Sequence, residues 1–144
     1  MTELAPPPKT PRKIKPWWMN RAVVYGLRIA LCTNEAMFDA EILRMTSRKN
    51  MDKWCKPGKA CIHTLAPKGG GQPSQIVCID AAALLDQPTL AAAMLAHEAT
   101  HAKQALMKVM GEKKPSDEFE AYVVQNIVHN LLDEYHRQVY GGAA

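Results

Sequence analysis

Two histidines and a glutamate interrupt a small and apolar run, "LAAAMLAHEATHAKQALMKVM", at residues 90–110. On a helix, His97 and His101 lie one turn apart on the same face, so one metal ion can accept a nitrogen from each. Glu98 lies about 100° further round the helix and can reach a metal-bound water without binding the metal. This H-E-x-x-H spacing is typical of zinc hydrolases, in which the glutamate takes a proton from the activated water. The spacing predicts a Zn²⁺ site with His97 and His101 as ligands and Glu98 as general base.

A catalytic zinc site of this kind takes a third protein ligand, which a separate element should supply. The stretch "SDEFEAYVVQNIVHNLL" begins at Ser116, and a short turn before it would fold a second helix back beside the first. On that helix Glu118 shares a polar face with Tyr122, whereas Glu120 shares a face with apolar residues. Polar side chains gather around a site, which favours Glu118 as the ligand. Glu120 remains the alternative, because a metal site is itself buried.

The pair "AHEATHAKQ" and "SDEFEAY" resembles the glutamate-type zincins, whose H-E-x-x-H motif is followed downstream by E-x-E-A-D or E-x-x-x-D. Within that group it is most similar to small zinc metallopeptidase-like proteins of bacteriophages and prophages, over residues 90 to about 135. The resemblance implies a zinc peptidase with Glu118 as third ligand and, if phage-encoded, action in the host cytoplasm. The aspartate by which the family orients a ligand histidine falls on Tyr122. A phenol there implies contact with a histidine or an oxyanion during catalysis, without the aspartate's charge.

Two other classes of function stay open. In a non-catalytic phage binding or regulatory module, zinc would only clip two helices together, although such a site has no use for Glu98. In a nucleic-acid adaptor, the basic N-terminal region and the adjacent Trp17 and Trp18 would provide charge and stacking. Residues 1–28 hold six basic side chains against one acid, while the rest of the chain is close to neutral, which weighs against a nucleic-acid partner. The expected partner is a peptide or protein substrate.

The elements that position these residues follow from local patterns. Residues 1–16 contain five prolines and predict a flexible basic arm, and residues 17–144 predict a single zincin-like domain. Apolar spacing predicts a helix from Trp17 to about Arg48, with Asn20 or Asn34 as a break or cap. The segments 60–66 and 75–81 predict a β-hairpin or two neighbouring strands, the second being the edge that would bind an extended substrate.

Two further helices are expected, and they complete the predicted architecture. The first is capped by Asp86 or Thr89 and ends at Gly111, and the second runs from Asp117 to about residue 139 with Ser116 as its N-cap. The fold class is therefore α+β: a mainly helical, minimal zincin-like fold with a small β-hairpin or sheet before the H-E-x-x-H helix.

Composition limits the location of the chain and the role of its cysteines. No run approaches the ~18 apolar residues of a membrane span, and the N-terminus has no apolar leader segment, so a cytoplasmic protein is expected. The four cysteines are interpreted as reduced thiols. Cys55, Cys61, His63 and Cys78 could form a second metal site, but their irregular spacing favours ordinary buried or loop residues.

Overall fold

A three-stranded sheet and three helices make up the part of the chain that the computed structural model describes, residues 13–19, 28–46, 53–66 and 73–141. In chain order the elements are β1 (Arg28–Cys32), α1 (Glu35–Thr46), β2 (Ala60–Leu65), β3 (Ser74–Ile79), α2 (Pro88–Met110) and α3 (Asp117–Val139). A single 3₁₀ turn, Ala82–Leu84, leads from β3 into α2. The predicted α+β class, with a small sheet ahead of the H-E-x-x-H helix, is confirmed.

The sheet has the order β1-β3-β2, with β1 parallel and β2 antiparallel to β3. All six residues of β3 are buried, as expected of a continuous apolar strand with neighbours on both sides. The pairing of the two predicted strands is confirmed. The expectation that the second strand forms the substrate-binding edge is wrong, because β3 is central and β2 lies at the edge.

Side chains alternate across the sheet, so its two faces carry different cores. One face packs against α2 and α3 through a cluster that includes Ile29, Leu31, Val77, Ile79, Leu95, Ala99, Ala102, Ile127 and Leu131. The opposite face packs against α1 and the loop before β2 through Cys32, Phe38, Ile42, Cys55, Ile76 and Cys78. The sheet therefore separates the H-E-x-x-H helix from most of the cysteines.

The predicted helix from Trp17 to Arg48 is wrong over residues 28–32, which form β1 ahead of α1. Apolar residues in a short buried strand also occur three and four apart, so spacing alone did not separate strand from helix. Asn34 marks the start of α1, since its Oδ1 accepts a hydrogen bond from the backbone N–H of Met37 at 2.8 Å. Asn20 and Arg48, like residues 1–12 of the predicted arm, lie outside the described residues.

The helices α2 and α3 form the predicted αα-hairpin. Gly111 ends α2 in the left-handed region, with φ 70°, and Ser116 Oγ accepts from the N–H of Phe119 at 3.3 Å at the start of α3. Capping of α2 by Asp86 or Thr89 is wrong, because Gln87 occupies the N-cap position and no side chain caps the helix. None of the described helices is long and apolar enough to cross a membrane.

A buried amide joins the C-terminal turn of α3 to the end of β1. Gln138 Nε2 donates to the carbonyl of Leu31 at 2.8 Å, and Gln138 Oε1 accepts from Thr33 Oγ1 at 2.7 Å. These hydrogen bonds satisfy polar groups where the helix closes over the sheet.

Candidate metal centre

The imidazoles of His97 and His101 lie together on the solvent-facing side of α2. Their Nε2 atoms are 3.2 Å apart, and the rings meet edge to face with centroids at 4.8 Å. A tetrahedral zinc ion with Zn–N distances of ~2.0–2.1 Å holds two ligand nitrogens about 3.3 Å apart. The spacing of the two Nε2 atoms therefore fits two ligands of one zinc ion.

Gln104 contacts one of these rings. Its Oε1 lies 3.1 Å from Nδ1 of His101. With the amide oxygen as acceptor, this contact favours the tautomer that has the proton on Nδ1 and the lone pair on Nε2, the atom that a metal would bind. Sequence reasoning missed Gln104, although its position three residues after His101, one turn along the same face, is the signal that identifies it.

Glu98 points toward the sheet and is only 6% exposed. Burial raises the pKa of its carboxyl above the ordinary value, while the adjacent His97 and His101 act in the opposite direction. A buried carboxylate beside two potential metal ligands is suited to accept a proton from water.

A cleft of about 330 Å³ runs between α2 and the start of the edge strand β2. It is lined by Lys59, Ala60, Ala93, Met94, His97 and Glu98. Among the described residues, no strand pairs with the side of β2 that faces away from β3. An extended peptide could therefore add to that edge by backbone hydrogen bonds and lie beside the cleft.

The structure does not bring the predicted third ligand to the histidine pair. Glu118 and Tyr122 are exposed, Tyr122 by 57%, on the face of α3 opposite its buried residues. Glu120 faces α2 but forms an ion pair with Lys103. Lys103 follows His101 by two residues and so lies about 200° away around α2. Among the described residues, no group of three His, Cys, Asp or Glu ligand atoms within 4.8 Å includes the histidine pair.

A different group of potential ligands does come together. Cys61 and His63 on β2 and Cys78 on β3 place their ligand atoms within 4.8 Å of one another, and Cys61 Sγ lies 3.5 Å from His63 Nε2. Hydrogen bonding with the Cys78 thiol lowers the pKa of Cys61 below its ordinary value, against the effect of burial. All four cysteines are free thiols, as the sequence predicts. Cys61, His63 and Cys78 come together because of the register between β2 and β3, which local sequence spacing does not reveal.

The two tryptophans near the N-terminus are held by side chains of the same chain. The guanidinium of Arg137 lies over the ring of Trp17, 3.9 Å from its centroid, and that of Arg28 lies 5.2 Å from the centroid of Trp18. Trp18 Nε1 also donates to Glu41 Oε2 at 3.1 Å. These contacts leave one face of each ring engaged within the protein.

Comparison with known proteins adds no relative from which a function could be inferred. The chain matches no protein-family model, and neither curated proteins nor solved structures give a match. The functional argument therefore depends on the side chains of the site itself.

Proposed function

We propose that this protein is a zinc-dependent hydrolase that acts on peptides or proteins. His97 and His101 hold the metal, and Glu98 is the general base. The observation that carries the proposal is the 3.2 Å separation of two Nε2 atoms directly beside a buried carboxylate on a cleft wall.

Each residue has a defined task. Gln104 favours the tautomer of His101 that offers Nε2, and the two histidines bind the metal through these atoms. Zn²⁺ would supply a Lewis acid that activates water at neutral pH. Glu98, kept from bulk solvent, accepts the proton of the attacking water and returns it to the leaving amine.

The third ligand is the open part of this proposal. Glu118 as ligand and Tyr122 as a contact of a histidine or an oxyanion are proposed on the zincin resemblance alone, since both side chains are exposed and α3 would have to turn to bring them to the histidine pair. Glu120 is disfavoured by its ion pair with Lys103, which would have to break before the carboxylate could bind zinc.

The substrate is proposed to be an extended peptide segment. No described strand covers the outer edge of β2, so its backbone groups can pair with a peptide, and the cleft beside it carries His97 and Glu98. Binding through main-chain hydrogen bonds tolerates many side chains, so unfolded protein is the natural first probe.

The test measures zinc content and hydrolysis of reduced, denatured casein by the full-length protein. His97→Ala is expected to lose one equivalent of zinc, and Glu98→Gln to keep the metal while losing ~10²–10⁴-fold in hydrolysis. His129→Ala is the matched control, since His129 is exposed on α3 and pairs with Asp133. Unchanged zinc in His97→Ala, or wild-type hydrolysis in Glu98→Gln, overturns the proposal.

Zinc loss on His97→Ala without casein hydrolysis by the wild type would instead support the non-catalytic zinc module. For the nucleic-acid alternative, the arginines seated over Trp17 and Trp18 count against base stacking. Salt-dependent binding that disappears on deletion of residues 1–16 would support that alternative.

A further inference from the structure

Three potential metal ligands share one face of the sheet, opposite to α2. Cys61 and His63 are two apart on β2, so their side chains point the same way. Cys78 is the register partner of Cys61 on β3 and therefore stands beside it on that face. Backbone pairing thus brings two thiols and an imidazole together irrespective of their irregular spacing in the sequence.

The separations suit a metal with sulfur and nitrogen ligands. A tetrahedral zinc ion with Zn–S of ~2.3 Å and Zn–N of ~2.0–2.1 Å sets sulfur and nitrogen about 3.6 Å apart. Cys61 Sγ and His63 Nε2 are 3.5 Å apart. The ring of His63 also packs on Phe38, with centroids at 4.9 Å, which restricts its orientation.

A fourth ligand is available from the loop before β2. The Cys55 thiol is buried and close enough to the Cys61 thiol to interact with it electrostatically. It stands outside the set whose atoms all lie within 4.8 Å, so its thiol would have to move closer to complete the group.

We propose that Cys55, Cys61, His63 and Cys78 form a structural zinc site, distinct from the histidine pair on α2. Three thiolates and one imidazole make a closed tetrahedral set, which is typical of structural rather than catalytic zinc. Binding releases the thiol protons to solvent and involves no oxidation or reduction.

The site ties three segments together. Zinc at this point joins the loop at Cys55 to the edge strand β2 and the central strand β3. The edge strand begins beside Lys59 and Ala60, which form one wall of the cleft on the other face. The metal would therefore hold in place the strand on which the proposed substrate lies.

Cobalt substitution of the reduced full-length protein tests the proposal. Co²⁺ bound by thiolates gives near-ultraviolet charge-transfer bands, which a site made only of histidine and carboxylate does not. The wild type is expected to show these bands, and their intensity should fall in Cys61→Ala and Cys78→Ala, each of which removes one thiolate. Cys32→Ala is the matched control, because Cys32 is a buried thiol of the same core cluster outside the ligand set.

Further variants separate this site from the proposed hydrolase site. His97→Ala is expected to keep the charge-transfer bands, so the cysteine site and the histidine site can each be refuted independently of the other. Cys55→Ala and His63→Ala change a loop and an edge strand, so they can replace Cys78→Ala if that variant does not fold. Each of them should weaken the bands. A wild type without the bands, or one whose intact mass under non-reducing conditions is lower by two hydrogens, overturns the proposal.

Discussion

The ion pair between Lys103 and Glu120 provides a test of how α2 and α3 are joined. The Lys103 side chain is 12% exposed, whereas that of Glu120 is 37% exposed. Removing the carboxylate leaves a nearly buried ammonium without a counter-charge. Removing the ammonium leaves a carboxylate that can turn toward water. We therefore expect Glu120→Gln to destabilise the protein more than Lys103→Met does.

The magnitude follows from burial. Removing one partner of a fully buried pair costs ~3–5 kcal/mol, while exposed pairs contribute ~0.2–1 kcal/mol. For this partly exposed pair we expect about 2 kcal/mol for Glu120→Gln and about 1 kcal/mol for Lys103→Met. Glu120 also lies in the first turn of α3, where a negative charge contributes ~0.3–1 kcal/mol. Glu118→Gln, in the same turn but exposed, isolates that smaller effect.

Urea denaturation in the presence of a chelator measures these free energies of unfolding without the contribution of bound metal. The double variant of Lys103 and Glu120 should cost less than the sum of the single variants, because the unpaired charge is gone. If Glu120→Gln lowers the free energy of unfolding no more than Glu118→Gln does, the unequal burial of Lys103 and Glu120 does not have the expected effect.

The zinc content of the two glutamate variants identifies the ligand. Loss of zinc only in Glu118→Gln supports Glu118 as the third ligand, and loss only in Glu120→Gln refutes it.

Two further predictions concern the core. Leu95→Ala, in the fully buried face of α2, should cost ~2–5 kcal/mol in urea denaturation, whereas Leu90→Ala, 41% exposed on the same helix, should stay within ~0.5 kcal/mol; equal effects would contradict the assigned burial. Gln138→Leu leaves the carbonyl of Leu31 and the hydroxyl of Thr33 without their partner, so a loss of ~2–3 kcal/mol is expected, and a loss below ~0.5 kcal/mol would contradict it.

Helices α2 and α3 could be predicted from the sequence because their signals are local. Gly111 ends one helix by its left-handed backbone and Ser116 caps the next, and each acts within a few residues. The two histidines follow from helical periodicity alone, as does their shared face. No knowledge of distant contacts was needed for any of these features.

The sheet order depends on contacts between distant residues. Whether β3 or β2 forms the edge is decided by β1, which pairs with β3 across more than forty residues of sequence. A periodicity argument contains no information on that pairing. The same holds for Cys61 and Cys78, which meet only because of the register between β2 and β3.

The direction in which Glu118 points depends on how α3 packs against the rest of the protein. Its polar face was predicted to turn toward the metal, but α3 buries the apolar face that contains Val123 and Ile127 and leaves Glu118 in solvent. Hydrophobic burial, which scales with apolar area, decides the rotation of the helix about its axis. A single carboxylate contributes too little to override that preference without a bound metal.

Because β2 lies at the edge of the sheet, the alternation of its side chains bears on its register with β3. Because strands have a period of two, sliding β2 by one residue along β3 would exchange its faces. Cys61 and His63 would then enter the core beneath α2, while Ala60 and Ile62, which pack there, would leave it. An edge strand has only one neighbour to resist such a slip. A metal bound at Cys61, His63 and Cys78 would accept a single alignment and so select one register chemically.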